Sequence, residues 1–213
     1  LEPEMRQMLA YIGGLPNEGI RFLRVHYLYN LLRSTGGLGG YDWSLLDRAL
    51  DVMIEHRLKP FFELMGNPSG LFTDYEDMDQ VRRWRDLVTA TADRYGARYG
   101  MDELRTWYFE TTNEADSGWW TYGIKGYTNY YDACVAGLDA VDPGLPMGGP
   151  GTARTLSPIF RALMAHCDSG TSCLTGDGPP RLDYISIHEK GVNGSKDDLT
   201  PKTNAIVDRT LLG

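Results

Sequence analysis

Two hydrophobic rhythms take turns along the chain. Met5–Ile12 reads as a helix, and Ile20–Val25 (IRFLRV) is a short β-type run that ends at His26. Asp42 is the expected N-cap of a helix reaching about Arg57, because Leu46, Ala49, Leu50, Met53 and Ile54 follow the stripe of a core-facing helix. Pro60–Met65 (PFFELM) is strand-like and is stopped by Gly66-Asn67-Pro68. A longer helix spans about Asp79 to Tyr99, with Trp84, Leu87, Val88, Ala92 and Tyr95 on one face and Arg82, Arg83 and Arg85 on its solvated side. Arg105–Glu110 (RTWYFE), Leu145–Gly148 and Leu182–Ile187 (LDYISI) then read as strands. Gly126–Val141, Ser157–Asp168 and Thr203–Leu212 read as helices.

Strands that alternate with helices imply parallel β/α units, because parallel neighbours need a helical crossover. An open nucleotide-binding sheet would carry a G-x-G-x-x-G turn after its first strand. Gly36-Gly37-Leu38-Gly39-Gly40 lacks that spacing, and Pro150 in Gly148-Gly149-Pro150-Gly151 removes an N–H that would cradle a phosphate; both are read as turns. The expected fold is therefore a (β/α)8 TIM barrel. With 213 residues against the roughly 250 of a complete barrel, it is expected to be present only in part, as one domain over 1–213.

Composition narrows the partners. A net charge of −8 argues against nucleic acid, and no apolar run approaches a membrane span. The charge also repels an anionic polysaccharide, but screening confines that field to about 8 Å, so an acidic substrate would be held by local cations. Cys134, Cys167 and Cys173 form no metal-type pair and are read as buried or unpaired thiols; no metal or cofactor is called for. Asn193-Gly194-Ser195 is a glycosylation acceptor and points weakly to a secretory route. The chain opens on Leu1 with no signal segment, and reads as an excerpt of a larger protein.

In a β/α barrel the reactive side chains stand at the C-terminal ends of the strands. His26 ends the first strand, Asn113 and Glu114 follow Arg105–Glu110, and His188 and Lys190 end Leu182–Ile187, so three strands direct polar groups at one mouth. Glu114 is the candidate proton donor, beside an asparagine suited to a sugar hydroxyl. Glu63 and Glu110 fall inside strands and are expected to support inner hydrogen bonds.

Phe62-Glu63-Leu64-Met65-Gly66, Asp132-Ala133-Cys134, Gly148-Gly149-Pro150-Gly151 and Leu182-Asp183-Tyr184-Ile185-Ser186 resemble, in order and through nearly the whole chain, the iduronidase branch of glycoside hydrolase family thirty-nine. The resemblance implies retaining hydrolysis of terminal α-L-iduronic acid from glycosaminoglycans such as dermatan sulfate and heparan sulfate, in a lysosomal or secreted protein. It implies that Glu114 is the acid/base, that Asn113, His26 and His188 contact substrate, and that Lys190 faces the uronate carboxylate. It places the chain at about strands two to six, with the first strand before Leu1 and the nucleophile beyond Gly213. A β-xylosidase-like relative and a carbohydrate-binding pseudoenzyme are the alternatives. Two positions depart from the family pattern Glu-Thr-Trp-Asn-Glu-Pro: Thr112 replaces the tryptophan and Ala115 the proline. Both are expected to loosen the packing around Glu114.

Overall fold

The computed structural model describes residues 3–36 and 40–188. Along the chain come α1 (Pro3–Gly13), β1 (Phe22–Val25), a short hairpin β2 (Arg33–Ser34) and β3 (Tyr41–Asp42), then α2 (Ser44–Glu55) and β4 (Lys59–Glu63). There follow α3 (Met78–Tyr99), α4 (Met101–Leu104), β5 (Tyr108–Glu110), α5 (Gly123–Asp139), β6 (Met147–Thr152), α6 (Pro158–Ser169) and β7 (Tyr184–Ile187). Five of the strands form one sheet in the order β1-β4-β5-β6-β7, and every neighbouring pair is parallel. The fold is α/β, as the alternating rhythms require. The helix expected at Thr203–Leu212 lies outside the described residues.

The helix faces read from the sequence are the buried ones: Trp84, Leu87, Val88, Ala92 and Tyr95 all point into the core. Trp84 is a hub, its ring 4.8 Å from Phe72, 5.4 Å from Tyr29 and 5.4 Å from Tyr130. Edge-on and tilted contacts of this kind combine large apolar burial with favourable ring geometry. Asp77 caps α3 by accepting the Asp79 N–H at 2.9 Å, and Ser157 caps α6 by accepting the Phe160 N–H at 3.2 Å.

Helices α3 and α5 approach each other at Gly137. A Cβ there would lie 2.7 Å from both the Arg85 carbonyl oxygen and Val88 Cβ. Gly137→Ala is expected to cost about 1–3 kcal/mol, the range for overpacking a filled site. Thermal unfolding checks this; an unchanged melting temperature would show slack between the two helices.

Three sequence expectations need correction. Asp42 accepts the Ser44 N–H at 2.9 Å, but it belongs to β3, and Trp43 stands at the N-cap of α2. The Tyr41–Asp42 pairing with Arg33–Ser34 takes it out of the helix. The strand expected at Leu145–Gly148 runs instead from Met147 to Thr152 and is buried throughout, so Gly148–Gly151 is strand and not turn. Its glycines serve close approach: a Cβ on Gly148 would sit 2.5 Å from the Tyr184 ring. Arg105 and Thr106 turn out of α4, and β5 starts later, at Tyr108. The three cysteines are unpaired, and burial raises each thiol to about 12.

Candidate active site

Parallel strands end on the same edge of a sheet, so the polar residues that follow β1, β5 and β7 share one rim. His26 follows β1, Asn113 and Glu114 lie past β5, and His188 follows β7. His188 Nδ1 lies 3.0 Å from Glu114 Oε1. The contact is fixed from β6, the strand between them: the Glu114 N–H donates to Gly151 O at 2.9 Å, and the His188 N–H to Thr152 O at 2.8 Å. One strand end thus holds both partners by their main chain.

Glu114 sits in left-handed backbone, φ 46° and ψ 47°. For a residue with a Cβ this costs on the order of 1–3 kcal/mol, and such strain gathers at functional sites. The segment is held on all sides. Tyr130 on α5 accepts the Thr112 N–H at 2.9 Å and donates to Leu64 O at 2.7 Å. The Trp119 indole donates to Asn113 O at 3.1 Å, and the Asp116 carboxylate accepts the Ala153 and Arg154 N–H groups at 2.8 and 3.0 Å. Ala115 is itself buried, and the Thr112 N–H and Asn113 O are both hydrogen-bonded.

The other half of the rim is built on Arg24, which the sequence reading did not single out. Its Nε donates to Glu110 Oε2 at 2.6 Å and its Nη1 to Asn113 Oδ1 at 2.9 Å, while Nη2 lies 2.5 Å from Glu63 Oε1. His26 Nδ1 lies 2.6 Å from the other Glu63 oxygen. Glu63 and Glu110 are buried, as their in-strand positions suggested, and support the rim through this network. Burial raises the Glu63 pKa above the ordinary carboxylate range; His26 and Arg24 oppose that rise. Because Arg24 occupies Asn113 Oδ1, the amide NH2 of Asn113 remains for a ligand oxygen. His26 likewise has one nitrogen committed to Glu63 and a half-exposed ring for a ligand.

The structure therefore brings His26, Asn113, Glu114 and His188 to one rim. Lys190 and Asn193 lie outside the described residues. Among those described, no group of three or more His, Cys, Asp or Glu is arranged to hold a metal ion, and no helix is long and apolar enough to cross a membrane. A signal for Arg24 did exist, a charge at an interior position of an otherwise apolar strand, Phe-Leu-Arg-Val.

The model of the glycosyl hydrolases of family 39 matches residues 2–208. Human α-L-iduronidase is 44% identical over 196 residues, which cover 88% of this chain and 30% of that protein. A solved structure of the bacterial orthologue of human α-L-iduronidase, described as catalytically competent without N-glycans, is 94% identical with a TM-score of 0.88, covering 99% of this chain and 35% of that one. A monomeric β-xylosidase from Caulobacter crescentus is 25% identical with a TM-score of 0.74, covering 98% of this chain and 45% of that one. The chain thus spans about a third of the length of the iduronidases it resembles.

Proposed function

The chain belongs to the glycosyl hydrolases of family 39, and from that membership we propose that it forms part of the catalytic domain of a retaining α-L-iduronidase. Its substrates are glycosaminoglycan fragments ending in iduronic acid. The five-stranded parallel sheet is read as a sector of an eight-stranded β/α barrel, with residues 1–213 in one incomplete barrel domain. Supporting that reading, each strand of the sheet pairs with the next along the chain, and the candidate residues share the edge at the strand C-termini.

The observation that carries the proposal is the Glu114–His188 contact, held by two carbonyls of β6. Glu114 protonates the leaving oxygen and then activates water against a glycosyl-enzyme, while His188 orients its carboxyl. Asn113 donates its NH2 to a sugar hydroxyl and His26 contacts the same ring. Retention needs a second carboxylate about 5–5.5 Å from the first. Glu63 and Glu110 each commit an oxygen to Arg24, so the nucleophile is assigned to a residue outside the described ones. A glycan on Asn193 is taken as dispensable, in keeping with the competence of the bacterial orthologue without N-glycans. Of the two expected addresses, lysosomal and secreted, that bacterial likeness favours the secreted one.

The test compares hydrolysis of an α-L-iduronide and a β-D-xyloside by the full-length protein. Iduronide turnover with little xyloside turnover supports the reading; the reverse preference, or none at all, sinks it. Lys190→Met is expected to raise KM for the iduronide about tenfold more than for a neutral glycoside, the loss of one point cation facing a carboxylate. Equal losses on both would show that Lys190 acts through the fold.

A further inference from the structure

The turn between β6 and α6, residues 153–157, is tied to the acid/base segment. Asp116, two residues past Glu114, accepts the Ala153 N–H with one carboxylate oxygen and the Arg154 N–H with the other, at 2.8 and 3.0 Å. The Glu114 N–H is itself bonded to Gly151 O of β6. Arg154 is exposed on this turn. Arg161, also exposed, reaches back to it from the first turn of α6, its Nε donating to Leu156 O at 2.8 Å. We propose that Arg154 and Arg161 form a cationic edge that holds a sulfate ester carried by the leaving sugar. The proposal rests on the reading of Glu114 as the acid/base.

An acid/base carboxyl must touch the glycosidic oxygen, so the leaving sugar lies beside Glu114. The turn that continues β6 is joined to that residue through Asp116 and Gly151, and is therefore among the surfaces such a sugar meets. Its arginines are open to an anion. Asp116 directs both oxygens to main-chain N–H groups, and among the described residues no carboxylate pairs with the guanidinium of Arg154 or Arg161. Arg105 and Arg181, which precede β5 and β7 and so belong to the opposite edge of the sheet, are each paired with an aspartate. Arg161 commits only its Nε, and Arg154 keeps its whole fork. A planar guanidinium matches the oxygens of a sulfate bidentately. The turn is also ordered in advance. Leu156 sits in left-handed backbone, φ 62°, a conformation that a residue with a Cβ rarely adopts unless its surroundings hold it, and the Arg161 bond to its carbonyl is one such hold. With a net charge of −8 the protein repels a sulfated chain at range, but screening limits that field to about 8 Å. Cations placed at the rim then decide whether a sulfated leaving group is accepted.

The experiment uses the full-length protein and three iduronyl disaccharides, whose leaving N-acetylgalactosamine is unsulfated, 4-sulfated or 6-sulfated. The wild-type protein should show a higher kcat/KM for one of the sulfated substrates than for the unsulfated one, and that advantage should shrink as ionic strength rises. Arg154→Gln should lower the sulfated-to-unsulfated ratio about fivefold, the upper worth of an exposed ion pair. Arg161→Gln should lower it in the same direction. Arg154→Lys, which keeps the charge and loses the fork, should fall between Gln and wild type. A wild-type protein indifferent to sulfation would overturn the proposal. So would an Arg154→Gln ratio equal to that of wild type, including the case in which both rates fall together, since Arg154 would then act only through the turn. If the wild-type protein cleaves none of the three, the activity reading fails and binding decides the role of the arginines. Calorimetric binding of a sulfated disaccharide, lost in Arg154→Gln, then upholds the site, and binding that is absent from wild type or unchanged in the variant overturns it.

Discussion

Glu114→Gln in the full-length protein is expected to slow hydrolysis of an iduronyl disaccharide by about 10²–10⁴-fold, the usual worth of a positioned proton donor. The substitution is nearly isosteric. The main-chain bond to Gly151 O remains, and Gln can still meet His188 Nδ1 and Ser117 Oγ, so position is preserved while the transferable proton is lost. The loss should depend on the leaving group. A sugar alkoxide departs poorly without a proton, whereas fluoride or an acidic phenol needs little help in the first step. With such substrates the variant should form the glycosyl-enzyme rapidly and then stall, because no base activates water. A pre-steady-state burst followed by slow turnover is the kinetic signature. Near wild-type turnover of the disaccharide by the Gln variant would remove Glu114 from the acid/base role.

The part of this site legible in the sequence was the part written locally. His26, Asn113, Glu114 and His188 each follow an apolar strand run, and a polar residue just past a strand is visible without knowing any neighbour. The parallel sheet was legible for the same reason, since the alternation of rhythms dictates it. Arg24 was not legible, because its meaning lies in partners far along the chain: Glu63 and Glu110 come from other strands and Asn113 from the loop after β5. Gly148–Gly151 misled for a related reason. Local rules assign a glycine cluster to a turn, but here the missing side chain of Gly148 makes room for Tyr184 from the adjacent strand, and that of Gly149 for Thr111. Trp119 is a third case. It stands in a loop with no periodicity, and only its hydrogen bond to Asn113 shows that it faces the site.

Arg24→Met should be the most destabilising single change at this rim, by about 3 kcal/mol near neutral pH. Removing one partner of a buried ion pair typically costs about 3–5 kcal/mol, because the remaining charge is buried without compensation. The lower end applies because the Arg24 side chain is 24% exposed, although Glu63 and Glu110 are almost fully buried. Methionine matches the length of the stem, so the cavity term is small and the loss is chiefly electrostatic. The pH dependence identifies the cause. Glu63 already has a folded-state pKa above its ordinary value, from burial, with Arg24 among the groups that hold it down. Without Arg24 that pKa rises further. A carboxyl with a raised folded pKa keeps its proton in the native state over a range where the unfolded chain has lost it. Stability therefore falls as pH rises through that range and recovers as pH falls toward the unfolded pKa. The deficit of the variant should shrink between about pH 7.5 and about pH 5 as Glu63 takes up a proton. Arg24→Lys restores one charge but not the fork that reaches Glu63, Glu110 and Asn113 together, and should fall between Met and wild type. Thermal unfolding of the three proteins at both pH values measures this. A deficit of equal size at both would mean that Arg24 contributes packing and not charge compensation.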